Sequence, residues 1–136
     1  MNSKLLSSRH GVVLVMLAAV FLLIHVWAYM SRPDISQPLY YAWPAIDIPV
    51  HMMFGAWLAL FFLYTNVLRR TGLLFVFSVV MLVGLGWELL EYGFDIFYGL
   101  SQGFSPAHHG MADTYKDIVD NGVGATAAIY FFRFFI

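Results

Sequence analysis

No cysteine occurs in this 136-residue chain, which excludes disulfides, thiolate zinc centres and iron–sulfur clusters and leaves only oxygen and nitrogen ligands for a metal. Charge is scarce as well. Charged residues make up 11% of the sequence, where an average globular domain has about 25%. No polybasic stretch points to nucleic acid, and no Pro/Ser-rich or charge-rich linker or internal repeat divides the chain. A nucleophile elbow and a phosphate-binding glycine loop are also missing, and Ser7, Ser8 and Ser101 have no base placed beside them, so serine-hydrolase and nucleotide-binding classes lose their usual signatures.

What remains is apolar: 61% of residues are hydrophobic and the mean hydropathy is +0.76. The expectation is an all-α, polytopic integral membrane protein forming one domain over residues 1–136. A hydrocarbon core about 30 Å thick needs roughly 20 helical residues. Four stretches meet or approach that length: Gly11 to Tyr29, Ala45 to Leu68, Leu73 to Tyr98 and Met111 to Phe132. The first follows Lys4 and Arg9, but its length and the lack of an A-x-A site after it predict a retained helix rather than a signal peptide. Pro49 fits the second only in its first turn. Along this alternating path Lys4, Arg9, Arg69, Arg70 and Arg133 fall on one side and Arg32 and Lys116 on the other, so the positive-inside rule places both termini in the cytoplasm. Trp27, Tyr29, Tyr40, Tyr41 and Trp43 then gather at the outer interface as anchors.

Seven of the eight acidic residues lie in or beside these spans: Asp47, Glu88, Glu91, Asp95, Asp113, Asp117 and Asp120. A carboxylate at a helix centre is disfavoured by roughly 2.5–3.5 kcal/mol, so such groups line wet cavities, pair, or hold a cation. Their spacing puts them on helix faces. Asp47, His51 and Gly55 follow i, i+4, i+8; Glu88, Glu91 and Asp95 follow i, i+3, i+7; Asp113, Asp117, Asp120 and Gly124 follow i, i+4, i+7, i+11. At 1.5 Å of rise per residue, the three stripes occupy matching depths in the outer half of the membrane. The expected object is an outward-facing funnel. Asp47, Asp95 and Asp113 stand at its mouth, His51, Glu91 and Asp117 below them, and Glu88, Asp120 and Asn121 deepest, with Gly84, Gly86, Gly122 and Gly124 permitting close helix approach around the floor.

The motifs Asp47-x3-His51-x3-Gly55, Trp87-Glu88-x2-Glu91-x3-Asp95 and Asp113-Thr114-x2-Asp117-x2-Asp120-Asn121-x2-Gly124-Ala125, in that order, resemble the small bacterial membrane proteins grouped as VanZ-like and YjdF-like. The resemblance covers about the last ninety residues, the acid-rich final helix being its most specific part. It implies a location in the bacterial inner membrane and a link to envelope or glycopeptide tolerance. It implies no particular reaction.

The site is expected to hold a divalent metal ion, because ionised carboxylates at short range need compensating charge. His51, Glu88, Glu91, Asp113 and Asp117 are the expected ligands, a set suited to Mg²⁺, Mn²⁺, Ca²⁺, Fe²⁺ or Zn²⁺. Asp47 is expected to orient the His51 imidazole; Asp120 and Asn121 support the floor; His108 and His109 lie on the outer loop, near enough to cap the mouth. Glu91, at mid-depth, is the expected general base. The bland alternative makes the acids interhelical glue, with pairs to Lys116 or Arg32. Three functions stay open: a metal-dependent enzyme acting on a lipid or lipid-linked envelope substrate, a cation, proton or cationic-ligand binding or transport component, and a non-catalytic resistance factor. His25 lies at about the level of His51, and a hydrogen-bonded interior histidine is the expectation there, ahead of haem ligation.

Overall fold

Long apolar runs with few internal breakers fold into helices because backbone groups in lipid must be satisfied within the segment. The computed structural model describes residues 9–30, 44–64, 72–99, 101 and 109–135, and these contain four long helices and no strand. Helix α1 spans Arg9–Met30. A 3-10 turn, Pro44–Ile46, leads into α2, Asp47–Tyr64, so Pro49 falls in the first turn, where its missing N–H costs nothing. Helix α3, Leu73–Phe94, ends in a π-helical turn, Asp95–Gly99. Helix α4 spans Met111–Phe135. Residues 65–68, expected to close the second span, lie outside the described residues. The third span does not remain α-helical to Tyr98, because the wider turn begins at Asp95.

Gly110 turns the chain into α4. Its φ of +104° belongs to the left-handed region that side chains disfavour, and its carbonyl accepts hydrogen bonds from the amides of Asp113 (3.0 Å) and Thr114 (3.1 Å). This pins the start of the helix that carries the most acidic stripe.

Neighbouring helices alternate in direction, and α2 and α4 run parallel at the closest interface. Asp47 meets Lys116 near the start of both, and Tyr64 meets Phe132 near their ends, with ring centroids 5.4 Å apart. Between them the backbones touch. A Cβ added at Gly55 would lie 2.8 Å from the carbonyl carbon of Asn121, and one added at Gly124 would lie 2.7 Å from that of Met52. The two glycines thus remove side chains from opposite partners at one crossing, the membrane form of small-residue packing. Buried Leu58, Ala59, Ala125 and Ala128 continue the seam, joined by Val76 and Val80 of α3. Helix α1 docks on α2 through Leu14, whose carbonyl accepts from Trp57 Nε1 at 3.0 Å, and through Phe21 against Phe54 and Trp57. Gly84 opposes the Asn121 side chain and Gly122 opposes Met81, whereas Gly86 faces open space and takes no part in the expected floor.

Burial is inverted relative to a water-soluble protein. Leu74, Leu90 and Phe97 are 76%, 68% and 86% exposed, while Glu88, Asp117 and Asn121 are 3%, 2% and 1% exposed. Apolar side chains outside and carboxylates inside suit a lipid surround. Among the described residues, two helical stretches, Asp47–Tyr64 and Leu73–Tyr98 (α3 with its π turn), are long and apolar enough to cross a membrane.

Candidate functional site

The parallel pairing of α2 and α4 brings their polar stripes into contact. His51 Nε2 stands 3.2 Å from Asp47 Oδ1, one turn earlier on α2, and 3.8 Å from Asp117 Oδ1 across the interface. Among the described residues, Asp47, His51 and Asp117 are the one group of three whose candidate ligand atoms all lie within 4.8 Å of one another. The other imidazole nitrogen, Nδ1, stands 3.4 Å from Asn121 Nδ2. The amide is wedged by its surroundings, with its backbone against Gly55 and its side chain against Gly84.

Lys116 sits at the centre of the acids. Its Nζ is 2.8 Å from Asp47 Oδ2, hydrogen-bonds Asp117 Oδ1, and lies 3.5 Å from Asp113 Oδ1 and 3.9 Å from Asp120 Oδ2. Four aspartates thus surround one ammonium. The signal for this is present in the sequence: Asp113, Asp117 and Asp120 stand at i−3, i+1 and i+4 from the lysine, and the outer two spacings are those of helical ion pairs. Sequence reasoning places Lys116 only among pairing partners; the structure makes it the resident cation.

The remaining site residues distribute around this centre. Glu88 Oε2 accepts a hydrogen bond from Thr114 Oγ1 at 3.1 Å, which sets Glu88 beside the first turn of α4. The expected floor of Glu88 with Asp120 and Asn121 therefore does not form. Gly84 opposes Asn121 instead, because the amide fills the space that a missing side chain leaves there, and α3 is shifted along its axis against α4 relative to the expected register. Glu91 Oε1 accepts from Trp87 Nε1 at 2.7 Å on its own helix. Asp95 is buried at the start of the π turn. Asp113 pairs with His109 Nδ1 at 3.3 Å as well as with Lys116. Glu88, Glu91 and Asp113 stay outside the close trio, and Asp47, expected as a supporting residue, is part of it. His108 lies outside the described residues.

Three buried acceptor atoms, Glu88 Oε1, Asp120 Oδ2 and Asn121 Oδ1, have no hydrogen-bond partner among the described residues. Buried oxygens normally have donors; among the described residues Asp120 Oδ2 has only the ammonium of Lys116 at 3.9 Å, beyond hydrogen-bond length. Two of the trio's three separations lie near those of atoms that share a metal, and the third is within 4.8 Å. Ligand bonds of about 2.0–2.2 Å in a tetrahedral zinc site imply donor atoms roughly 3.3–3.6 Å apart, close to the observed 3.2 and 3.8 Å.

The chain belongs to the family described as Predicted membrane protein (DUF2238), whose model matches residues 6–136 and so includes α1 as well as the three polar helices. No curated protein and no solved structure matches it.

Proposed function

We propose that this member of a membrane-protein family is a four-span protein of the bacterial inner membrane, both termini cytoplasmic, that binds a divalent cation at Asp47, His51 and Asp117. In its most concrete form it is a metal-dependent enzyme acting on a lipid or lipid-linked envelope substrate. The observation that carries the reading is the trio itself: one imidazole and two carboxylates converging from two helices, inside a lipid-facing shell. Charge supports it. Asp47, Asp113, Asp117 and Asp120 face one ammonium, which leaves an excess of negative charge that a divalent ion would offset. Three protein ligands, rather than four, is the count found in catalytic zinc sites. The alternating helices agree with the orientation drawn from Lys4, Arg9, Arg69, Arg70 and Arg133. The order of motifs supports kinship with the VanZ-like and YjdF-like proteins.

A divalent ion at such a site supplies Lewis-acid polarisation of a phosphoryl or acyl oxygen. The chain's own residues supply the rest. In the metal-free site Asn121 Nδ2 stands as a donor beside Nδ1 of the imidazole, Lys116 balances the acids, and Glu91, held by Trp87 and only half-buried, is the assigned general base on the neighbouring helix. A second reading, in which the cluster binds a proton or a cationic ligand for transport, draws on a specific observation: the cage already holds a primary ammonium. The acids carry function in both readings. In a non-catalytic resistance factor they would serve only packing.

Metal content decides first. Chelator-free protein purified in detergent should carry stoichiometric divalent metal by mass spectrometry, and His51→Ala and Asp117→Asn should lose it. Folded wild type without retained or titratable metal would remove the enzyme reading. Cation flux in proteoliposomes would then support the transport reading, and envelope tolerance restored by Glu88→Gln/Asp117→Asn would support the resistance factor.

A further inference from the structure

Lys116 stands where the charge of a metal would lie. Its ammonium binds Asp47 Oδ2 and Asp117 Oδ1, and the latter is the same oxygen that faces His51 Nε2. An ammonium and a divalent ion therefore compete for Asp117 Oδ1 and for the charge of Asp47, whose other oxygen, Oδ1, faces the imidazole. The lysine is not sealed in, however. Its side chain is 34% exposed, against 3% for Asp117, and Asp113 and Asp120 flank it at 3.5 and 3.9 Å on its own helix. Rotation of its flexible stem carries the ammonium from the trio to that second pair without leaving acidic surroundings. The trio and the second pair thus offer one cation two resting places.

An independent observation points to a ligand beyond the lysine. With Lys116 in place, Asn121 Oδ1 and Glu88 Oε1 still have no hydrogen-bond partner among the described residues, although these side chains belong to residues only 1% and 3% exposed. The Asn121 amide meets the imidazole through its Nδ2, 3.4 Å from Nδ1, the ring nitrogen that does not face Asp47 and Asp117. The uncovered oxygen of Glu88, a carboxylate beside the first turn of α4, leaves negative charge that the ammonium does not offset.

Resting on the divalent-cation reading, the geometry points to Lys116 as an internal counter-ion that holds the metal-free trio together and moves toward Asp113 and Asp120 when a divalent ion binds. The device keeps Asp47 and Asp117 from repelling each other before loading. It also discriminates by charge, since a monovalent ion gains too little from the trio to displace an ammonium already bonded there. Metal occupancy becomes coupled to the position of one lysine.

The test is Mn²⁺ titration of the full chain in detergent, followed by paramagnetic resonance, on wild type, Lys116→Gln and Asp113→Asn/Asp120→Asn. Lys116→Gln should bind Mn²⁺ at least about tenfold more tightly, because a competing ammonium has been removed, and the double variant should bind several-fold more weakly. A second measurement needs no variant. The chain has two lysines, Lys4 and Lys116, so amine acylation read by peptide mass spectrometry resolves them. Saturating Mn²⁺ should accelerate acylation of Lys116 and leave Lys4 unchanged. Equal Mn²⁺ affinity in wild type and Lys116→Gln, or Lys116 acylation indifferent to bound Mn²⁺, would overturn the displacement while leaving the cation site standing. Absence of Mn²⁺ binding in every form would overturn the cation reading and the displacement with it.

Discussion

Replacing Gly124 by alanine puts a methyl carbon 2.7 Å from the carbonyl carbon of Met52 and closer still to its oxygen. Carbon atoms pack at about 3.5–4.0 Å, so α2 and α4 must separate by about 1 Å, and the obstacle is backbone, which cannot rotate away. Overpacking of this kind costs about 1–3 kcal/mol. The unyielding neighbour puts Gly124→Ala at the upper end, and the gain of about 1 kcal/mol in helix propensity leaves a net loss of about 2 kcal/mol. Gly86→Ala is the control, since a Cβ there meets nothing within 4 Å. It should be neutral or stabilising by up to about 1 kcal/mol. Titration of both variants with SDS in mixed micelles, followed by the emission of the four tryptophans, compares them directly. The site gives a second readout: a 1 Å separation lengthens the 3.8 Å gap between His51 and Asp117, so metal retention should fall along with stability. Gly124→Ala as stable as Gly86→Ala would refute a backbone contact at this crossing.

Further outcomes follow from the same geometry. Thr114→Val removes the donor to Glu88 Oε2 and leaves a buried carboxylate with neither oxygen hydrogen-bonded among the described residues; it should destabilise the fold by about 1–3 kcal/mol in the same SDS titration, and Glu88→Gln placed on top should recover part of the loss. Glu91→Gln should retain metal and fold, because Glu91 lies outside the trio, yet abolish turnover of a lipid-linked substrate; unchanged turnover would remove it from the role of base. His51→Ala should lower divalent-metal content to background while the far end of the α2–α4 seam, at Tyr64 and Phe132, keeps its packing, which a thermal melt in detergent would show as a small shift.

Helix faces were legible in the sequence because the α-helical period converts spacing directly into direction. Asp47, His51 and Gly55 share a face by arithmetic, as do Asp113, Asp117, Asp120 and Gly124, and the structure brings these two stripes together. The height of one helix against another was not legible, since hydropathy defines where a span lies only to within a turn or more. Glu88 shows this. Its level is set by a hydroxyl on Thr114 and by the fit of the Asn121 amide against Gly84, contacts that no periodicity encodes. Gly86 shows the same limit for rotation: a glycine near the acids reads as a packing residue, but only its angle about the axis decides whether a neighbour is there. Lys116 was misjudged for a different reason. One base among many acids reads as a minor pairing partner, whereas a long stem lets a single ammonium reach four carboxylates at once.

Packing and site are the same structure at the α2–α4 crossing, and this explains why the glycines and the acids share stripes. Short side chains such as Asp and His from different helices meet at about 3–4 Å most readily where the backbones beneath them approach closely. Gly55 and Gly124 provide that approach about one turn from His51 and two from Asp117, and Asn121 serves both purposes, its backbone lying against Gly55 and its amide against His51. The parallel direction matters equally. It sets the first turn of α2 beside the first half of α4, so that Asp47 and Lys116 meet at one end while the apolar ends pair through Tyr64 and Phe132 at the other. Unpaired carboxylates drive the helices apart, and the tight crossing holds them together; a cation among the acids relieves the first without weakening the second. Binding energy at the site should therefore appear as stability of the crossing, with metal protecting wild type against SDS more strongly than it protects Gly124→Ala.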